Sequence, residues 1–251
     1  MRVGIVQFKA RRDDLAASRA ELARLALAAG EGTDLVVLPE MAATGYVFAD
    51  RAGVWAVAED RRGPTFAALS EVARRRGTFV VAGYPERDGD RLFNSAMVID
   101  RRGELAFNYR KTLLYDEDVH WAEAGDTGYP VVDTGVGRFG VGICMDLNDD
   151  RFVDWLRTAR PDVVAFPTNW VHDDEIDAWR YWAWRLDGVA TALVAADTWG
   201  SEAVDGAGGR REVRFEGRSC VLRDRTIRAW LPETGDGWAR VNVPVCQNPR
   251  A

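Results

Sequence analysis

At 251 residues, 47% hydrophobic and 29% charged, the chain is long enough to bury a sizeable core and too apolar to be disordered along its length. Its net charge of −6, with basic residues dispersed among acidic ones, gives no electrostatic footprint for nucleic acid or anionic lipid. No apolar run approaches the ~20 residues that span a bilayer, so a membrane partner is not expected either.

The first residues lead straight into a β-rich run at 3–6 with no leader-like apolar segment, which fits a cytoplasmic protein. Further short runs at 35–38, 79–82, 96–99, 139–143, 163–166 and 192–196 predict strands, several buried on both faces. Helical patterns fall between them at 14–29, 64–75 and 174–186. Alternating strands and helices argue for a layered α/β protein. Residues 91–110 differ, because the turn-rich 100–103 leaves no room for a helix and predicts a β-hairpin, which makes the sheet mixed. The Gly-rich stretch 206–209 reads as a mobile loop, and no linker divides the chain, so 1–251 reads as one domain.

Glu40 ends the buried run Leu35-Val36-Val37-Leu38-Pro39, at the strand edge where α/β sheets bind ligands. Lys111 follows the hairpin in Asn108-Tyr109-Arg110-Lys111, and Cys144 closes Phe139-Gly140-Val141-Gly142-Ile143. Singly, each has a plain structural explanation: a cap, a solvated cation, a small buried thiol. Together they make chemical sense, because a thiol of reference pKa ~8.5 needs a base or a cation to act as a nucleophile at neutral pH. Histidine is the usual partner of such a thiol, but His120 and His172 sit in no recognisable signature, and His172 reads better as a surface residue than as half of a papain-like dyad. Cys144, Cys220 and Cys246 form neither a disulfide framework nor a metal-ligand spacing, so no metal or cofactor is expected and a reducing compartment fits.

The three segments together resemble the nitrilase superfamily of carbon–nitrogen hydrolases, whose members carry a Glu-Lys-Cys triad in this order. Leu38-Pro39-Glu40 with Thr44-Gly45-Tyr46, Tyr109-Arg110-Lys111-Thr112 and Gly142-Ile143-Cys144-Met145-Asp146 look like its three motifs. Supporting matches are Phe8, Gly83-Tyr84, Asn94-Ser95-Ala96, Pro167-Thr168-Asn169-Trp170 and Phe215-Glu216-Gly217-Arg218-Ser219, so the resemblance covers nearly the whole chain. It implies an α-β-β-α sandwich with mixed sheets, and members commonly pack their outer helices to give four layers across a dimer interface, so a homodimer or higher homo-oligomer is expected.

The resemblance also implies roles. Cys144 attacks a small-molecule amide, Glu40 moves the proton, and Lys111 with the backbone N–H of Met145 stabilises the oxyanion. Tyr46, Asn169 and Trp170 fall in motifs that contact substrate, and Trp170 and Trp121 are the pocket candidates among a cluster of tryptophans that otherwise reads as packing. Many relatives carry a second glutamate after the lysine, and here that register falls on Val119, so Asp118, or else Glu117, is expected to serve. Two other departures are Asp197, where relatives often have asparagine, and the turn Arg223-Asp224-Arg225-Thr226, which lacks a frequent glycine. Leu113-Leu114-Tyr115 and Met145-Asp146-Leu147-Asn148 look similar to the branch that includes protein N-terminal amidases, a likeness too short to assign a peptide substrate. Nitriles and N-carbamoyl compounds stay open as substrates, and Val119 leaves room for a binding or scaffold protein that has lost turnover. A membrane-bound acyltransferase of the superfamily is excluded by the lack of apolar spans.

Overall fold

The computed structural model describes residues 1–206 and 209–245. Two six-stranded sheets carry the fold. The first runs in the order β14 (Gly237–Asn242), β1 (Arg2–Gln7), β2 (Leu35–Val37), β3 (Phe79–Asp88), β4 (Arg91–Ile99) and β5 (Leu105–Arg110). The second runs β13 (Thr226–Trp230), β12 (Cys220–Arg223), β9 (Ala192–Ala196), β8 (Val163–Pro167), β7 (Arg138–Val141) and β6 (Val131–Asp133). Each has a parallel centre, β1-β2-β3 or β7-β8-β9, and antiparallel flanks. A separate antiparallel pair is made by β10 (Trp199–Gly206) and β11 (Gly209–Glu216).

Strand alternation sets the layers. Val3, Ile5, Leu35, Val37 and Val81 face inward and meet Phe139, Val141, Val163, Ala165 and Val194 of the other sheet. Val6, Val36, Leu38, Val80 and Ala82 point the other way, under the apolar stripes of α1 (Leu15–Ala29) and α3 (Pro64–Arg76). On the far side Val164, Phe166, Leu193 and Ala195 lie under α4 (Asp150–Ala159) and α5 (Ala178–Arg185). A short helix, α2 (Arg51–Val57), packs outside this order. The result is the expected α-β-β-α sandwich, but its four layers are complete within one chain and need no second copy. Among the described residues no helix is long and apolar enough to cross a membrane.

The helix at 14–29 begins one residue later than expected because Asp14 is its cap, its carboxylate accepting from Ala17 N at 2.9 Å. The pattern read as a helix over 174–186 begins only at Ala178. Asp173 folds the preceding stretch into a turn by accepting from Glu175 N at 2.8 Å and Ile176 N at 3.2 Å, and Asp177 then caps the helix. The glycine-poor turn between β12 and β13 is made with Asp224 and Arg225 both left-handed, at φ 50° and 60°. That conformation costs a non-glycine residue roughly 1–2 kcal/mol. Of the stretch expected as a mobile loop, Ala207 and Gly208 lie outside the described residues, as does Cys246.

Candidate active site

Three strand ends deliver the site. After β2 the chain bulges through Leu38-Pro39-Glu40, held to β3 by hydrogen bonds from Gly83 N to Pro39 O and from Ala42 N to Gly83 O, each 2.9 Å. Gly83 permits this approach, since a Cβ there would lie 2.4 Å from Glu40 Cα. Beyond β5, Lys111 is fixed by its backbone N–H to Asn94 O and by Gly125 N on its own carbonyl, both at 2.8 Å. Beyond β7, Cys144 opens a 3-10 turn, Cys144–Asn148, in the left-handed conformation at φ 44°. Such strain in a non-glycine residue is a mark of sites where geometry matters more than local comfort.

Asp146 ties two of these ends together. One carboxylate oxygen accepts from Ile143 N at 2.8 Å and the Tyr109 hydroxyl at 2.7 Å. The other accepts from Thr112 N at 2.9 Å, Leu113 N at 3.0 Å and the Thr112 hydroxyl at 2.8 Å. The cysteine turn and the lysine loop therefore share one buried anchor. Burial raises its pKa, with the donated N–H groups opposing.

Lys111 Nζ lies 2.8 Å from Glu40 Oε1 and 2.6 Å from Asp118 Oδ2, and all three side chains are sealed from solvent. Asn94 Nδ2 bridges the same two carboxylates at 2.7 and 3.0 Å, while Glu40 Oε2 accepts from Asn169 N at 2.8 Å. Burial alone would lower the Lys111 pKa, but Asp118 and Glu40 outweigh it and hold the ammonium well above its usual value. Burial raises the Glu40 pKa above its usual value, with Lys111 pulling down and Asp118 pushing up. The Cys144 thiol is pushed well up by burial and then by Glu40, with Lys111 opposing. A thiol so placed rests protonated and needs a base at the moment of attack.

Cys144 opens onto a cavity of about 290 Å³ whose wall includes Tyr115, Met145, Asn148, Asn169, Trp170 and Tyr181, with His172, Asp173 and Ile176 also lining it. Two larger clefts, of about 420 and 540 Å³, carry no member of the charged cluster. Asn169 is 2% exposed, and its Oδ1 has no hydrogen-bond partner among the described residues. Among the described residues no group of three or more His, Cys, Asp and Glu side chains is arranged to hold a metal ion.

Of the residues expected to contact substrate, Met145, Asn169 and Trp170 line this cavity, whereas Tyr46 and Trp121 do not. These two belong to an apolar cluster with Met41, Val47 and Phe215, where bulky side chains fill space outside the main sandwich. The buried Tyr46 hydroxyl nevertheless sits near the charges: burial, then Asp118, Glu40 and Cys144, push its pKa well up. Trp170 packs edge-on against Trp182, with ring centroids 5.3 Å apart, and Trp182 is fully buried core.

Val119 is 56% exposed, and the buried acid beside Lys111 is Asp118. Glu117 reaches Arg211 at 3.3 Å instead. His172 lines the cavity but forms no dyad with Cys144, since its ring nitrogens meet Glu216 at 2.7 Å and Asp174 at 3.1 Å. Sequence reasoning gave no role to Asn94 or to Asp146, although both lie within the segments quoted above. Asp197, noted only as a departure, is fully buried, accepts from Trp170 N at 3.1 Å, and leaves its Oδ2 without a partner.

The model of the family described as carbon-nitrogen hydrolase matches residues 2–216. Among curated relatives, a nitrilase from Pyrococcus abyssi is 41% identical over 145 residues, covering 57% of this chain and 55% of that protein. The protein N-terminal amidase of Saccharomyces cerevisiae is 31% identical over 140 residues, covering 48% of this chain and 31% of that protein. The chain thus spans about half or less of the length of these relatives. In three dimensions it is similar to an amidase from Nesterenkonia sp., with a TM-score of 0.79, 23% identity, and coverage of 97% of this chain and 90% of that one.

Proposed function

The chain belongs to the carbon–nitrogen hydrolase family, the nitrilase superfamily, and from that premise we propose that it hydrolyses a small-molecule amide through a thioester on Cys144. The observation that carries this reading is the solvent-free contact of Lys111 with both Glu40 and Asp118 at the strand ends beside Cys144. Glu40 takes the thiol proton as Sγ bonds to the amide carbon. It then gives that proton to the nitrogen as the carbon–nitrogen bond breaks and ammonia or an amine departs. A water molecule, losing its proton to Glu40, attacks the thioester. The acid leaves, and the proton returns to sulfur.

Negative charge on the tetrahedral oxygen is met by the Lys111 ammonium and by the N–H of Met145, at the first turn after the cysteine. Asp118 orients and charges Lys111. Support for an amide comes from the likeness to the protein N-terminal amidase, while the relative named a nitrilase favours a cyano carbon as the second reading, since the same thiol can attack it. The contact of Asp118 with Lys111 supports turnover over the scaffold reading, whose motive was the missing acid at Val119.

The test is intact-mass spectrometry after brief exposure to amides, nitriles and N-carbamoyl compounds. An acyl adduct that disappears in Cys144→Ala is expected, with ammonia released from amides faster than from nitriles. Wild-type turnover in Cys144→Ala would remove the scheme. Unpaired, buried Cys144 and Cys220 support a reducing, cytoplasmic setting. Trp184 and Trp230, each 59% exposed, support association into a homodimer, and sedimentation of the pure protein tests that.

A further inference from the structure

The cavity beside Cys144 has a charge character that the hydrolytic chemistry does not require. Among the described residues no lysine or arginine lines it, and the Lys111 ammonium, which acts on Cys144, is already held by two carboxylates. At the mouth stands Asp173, exposed, with one carboxylate oxygen accepting from Glu175 N and Ile176 N, and with no cationic partner among the described residues. Asp116, also exposed, adjoins Tyr115 of the wall, and its charge helps to hold the Tyr115 phenol above its usual pKa after burial has raised it.

Basic groups near the mouth are already held by carboxylates, Arg214 by Glu233 among them. His172 lies between Glu216 and Asp174, and Arg218 pairs with Glu216 at 2.7 Å and Asp177 at 3.1 Å. Trp170 and Tyr181, with ring centroids 5.8 Å apart, and Tyr115 give the wall aromatic faces, which attract cations. Deeper, the buried Asn169 Oδ1 is an acceptor without a donor.

Resting on the amidase reading above, we infer that the preferred substrate is a short amide whose far end carries an ammonium group, with Asp173 as the residue that selects for it. An ammonium at the mouth gains an unpaired carboxylate and aromatic faces. A carboxylate there would lose its water beside Asp173 and meet, among the described lining residues, only the imidazole of His172, which Glu216 and Asp174 already hold. The small volume, at the lower end of ligand pockets, favours a compact substrate over a folded polypeptide surface.

The experiment compares three primary amides of one chain length, ending in an ammonium, a methyl group or a carboxylate. kcat/KM is expected to be highest for the ammonium compound and about tenfold or more lower for the carboxylate, with the gap narrowing as salt is raised. Asp173→Asn, which keeps the oxygen that makes the turn, is expected to lower the ammonium-to-methyl ratio of kcat/KM about threefold, through KM. Equal use of the carboxylate compound, or a ratio unmoved by Asp173→Asn, overturns the inference while leaving the amidase reading intact. Calorimetric binding of the same three compounds to Cys144→Ala separates the two in the other direction. Preference for the ammonium compound there, without turnover in the parent protein, sinks the hydrolase and keeps the selectivity, and its absence sinks the selectivity.

Discussion

Lys111 Nζ and Asp118 Oδ2 are 2.6 Å apart with neither side chain reached by solvent, and Asp118 also accepts from Tyr115 N at 3.1 Å. A desolvated pair so short is strong in geometry and costly to break, because the remaining charge is left buried with less compensation. Asp118→Asn removes one of two anions beside the ammonium. Turnover should fall about 100-fold, the scale on which a transition-state charge contact is lost, whereas Glu117→Gln should change it less than about twofold. Steady-state ammonia release from both variants checks this, and equal losses would mean that the acid beside Lys111 has no special part.

The protonation states predict the acid side of the pH profile. As the proposed base, Glu40 must be ionised to accept the thiol proton, yet burial raises its pKa above the usual ~4.3 of a glutamate. Activity should therefore climb with pH along a limb displaced upward from an ordinary carboxylate, and the apparent value will belong to Glu40 together with the ammonium it contacts. On the alkaline side Lys111, held well above its usual value, should keep its proton, so no fall from its titration is expected near neutrality. A profile of kcat/KM against pH, with an acid limb centred near 4.3, would contradict this arrangement.

How much of this was legible beforehand depends on the range of the interactions. Buried strands announced themselves as β-branched runs, and alternation along them fixed which residues face the second sheet. Glu40, Lys111 and Cys144 were visible because each ends such a run. Asp146 was visible as a letter but not as an anchor, since its partners Tyr109, Thr112 and Leu113 lie far away in the chain. The start of α5 was missed because local side-chain acceptors at Asp173 and Asp177 compete with helix hydrogen bonds. Trp121 went to a packing cluster because large aromatic surface is buried wherever a satellite core has space, which no short motif encodes.

Gly83 offers a test of the scaffold rather than the chemistry. Gly83→Ala puts a methyl group 2.4 Å from the Glu40 Cα and 2.8 Å from Met41 N, both backbone atoms that cannot swing aside. Overpacking of this kind costs about 1–3 kcal/mol, so the melting temperature should drop by several degrees. Because the displaced residue is the proposed base, kcat should fall more than the loss of folded protein explains. The variant is to be assayed well below its melting temperature, and a folded Gly83→Ala protein with full kcat would show that the bulge at Glu40 tolerates displacement.

Asp197 links burial to pH in a way that can be read without any substrate. Burial pushes its pKa well above the ordinary aspartate value, against the N–H groups of Trp170 and Thr198 and with the charges of Glu40 and Glu216. The native state therefore binds a proton that the unfolded chain releases near ~3.9, so the unfolded state binds fewer protons and stability must decline as pH rises from there through the folded pKa. Asparagine keeps an acceptor for Trp170 N and carries no charge. Asp197→Asn should thus leave acid-side stability nearly as it is and raise neutral and alkaline stability by about 1–3 kcal/mol, because no carboxylate has to ionise in the buried site. Melting curves of both proteins across pH should diverge steadily from acid to alkaline conditions. Parallel curves would mean that Asp197 does not titrate on unfolding in that range.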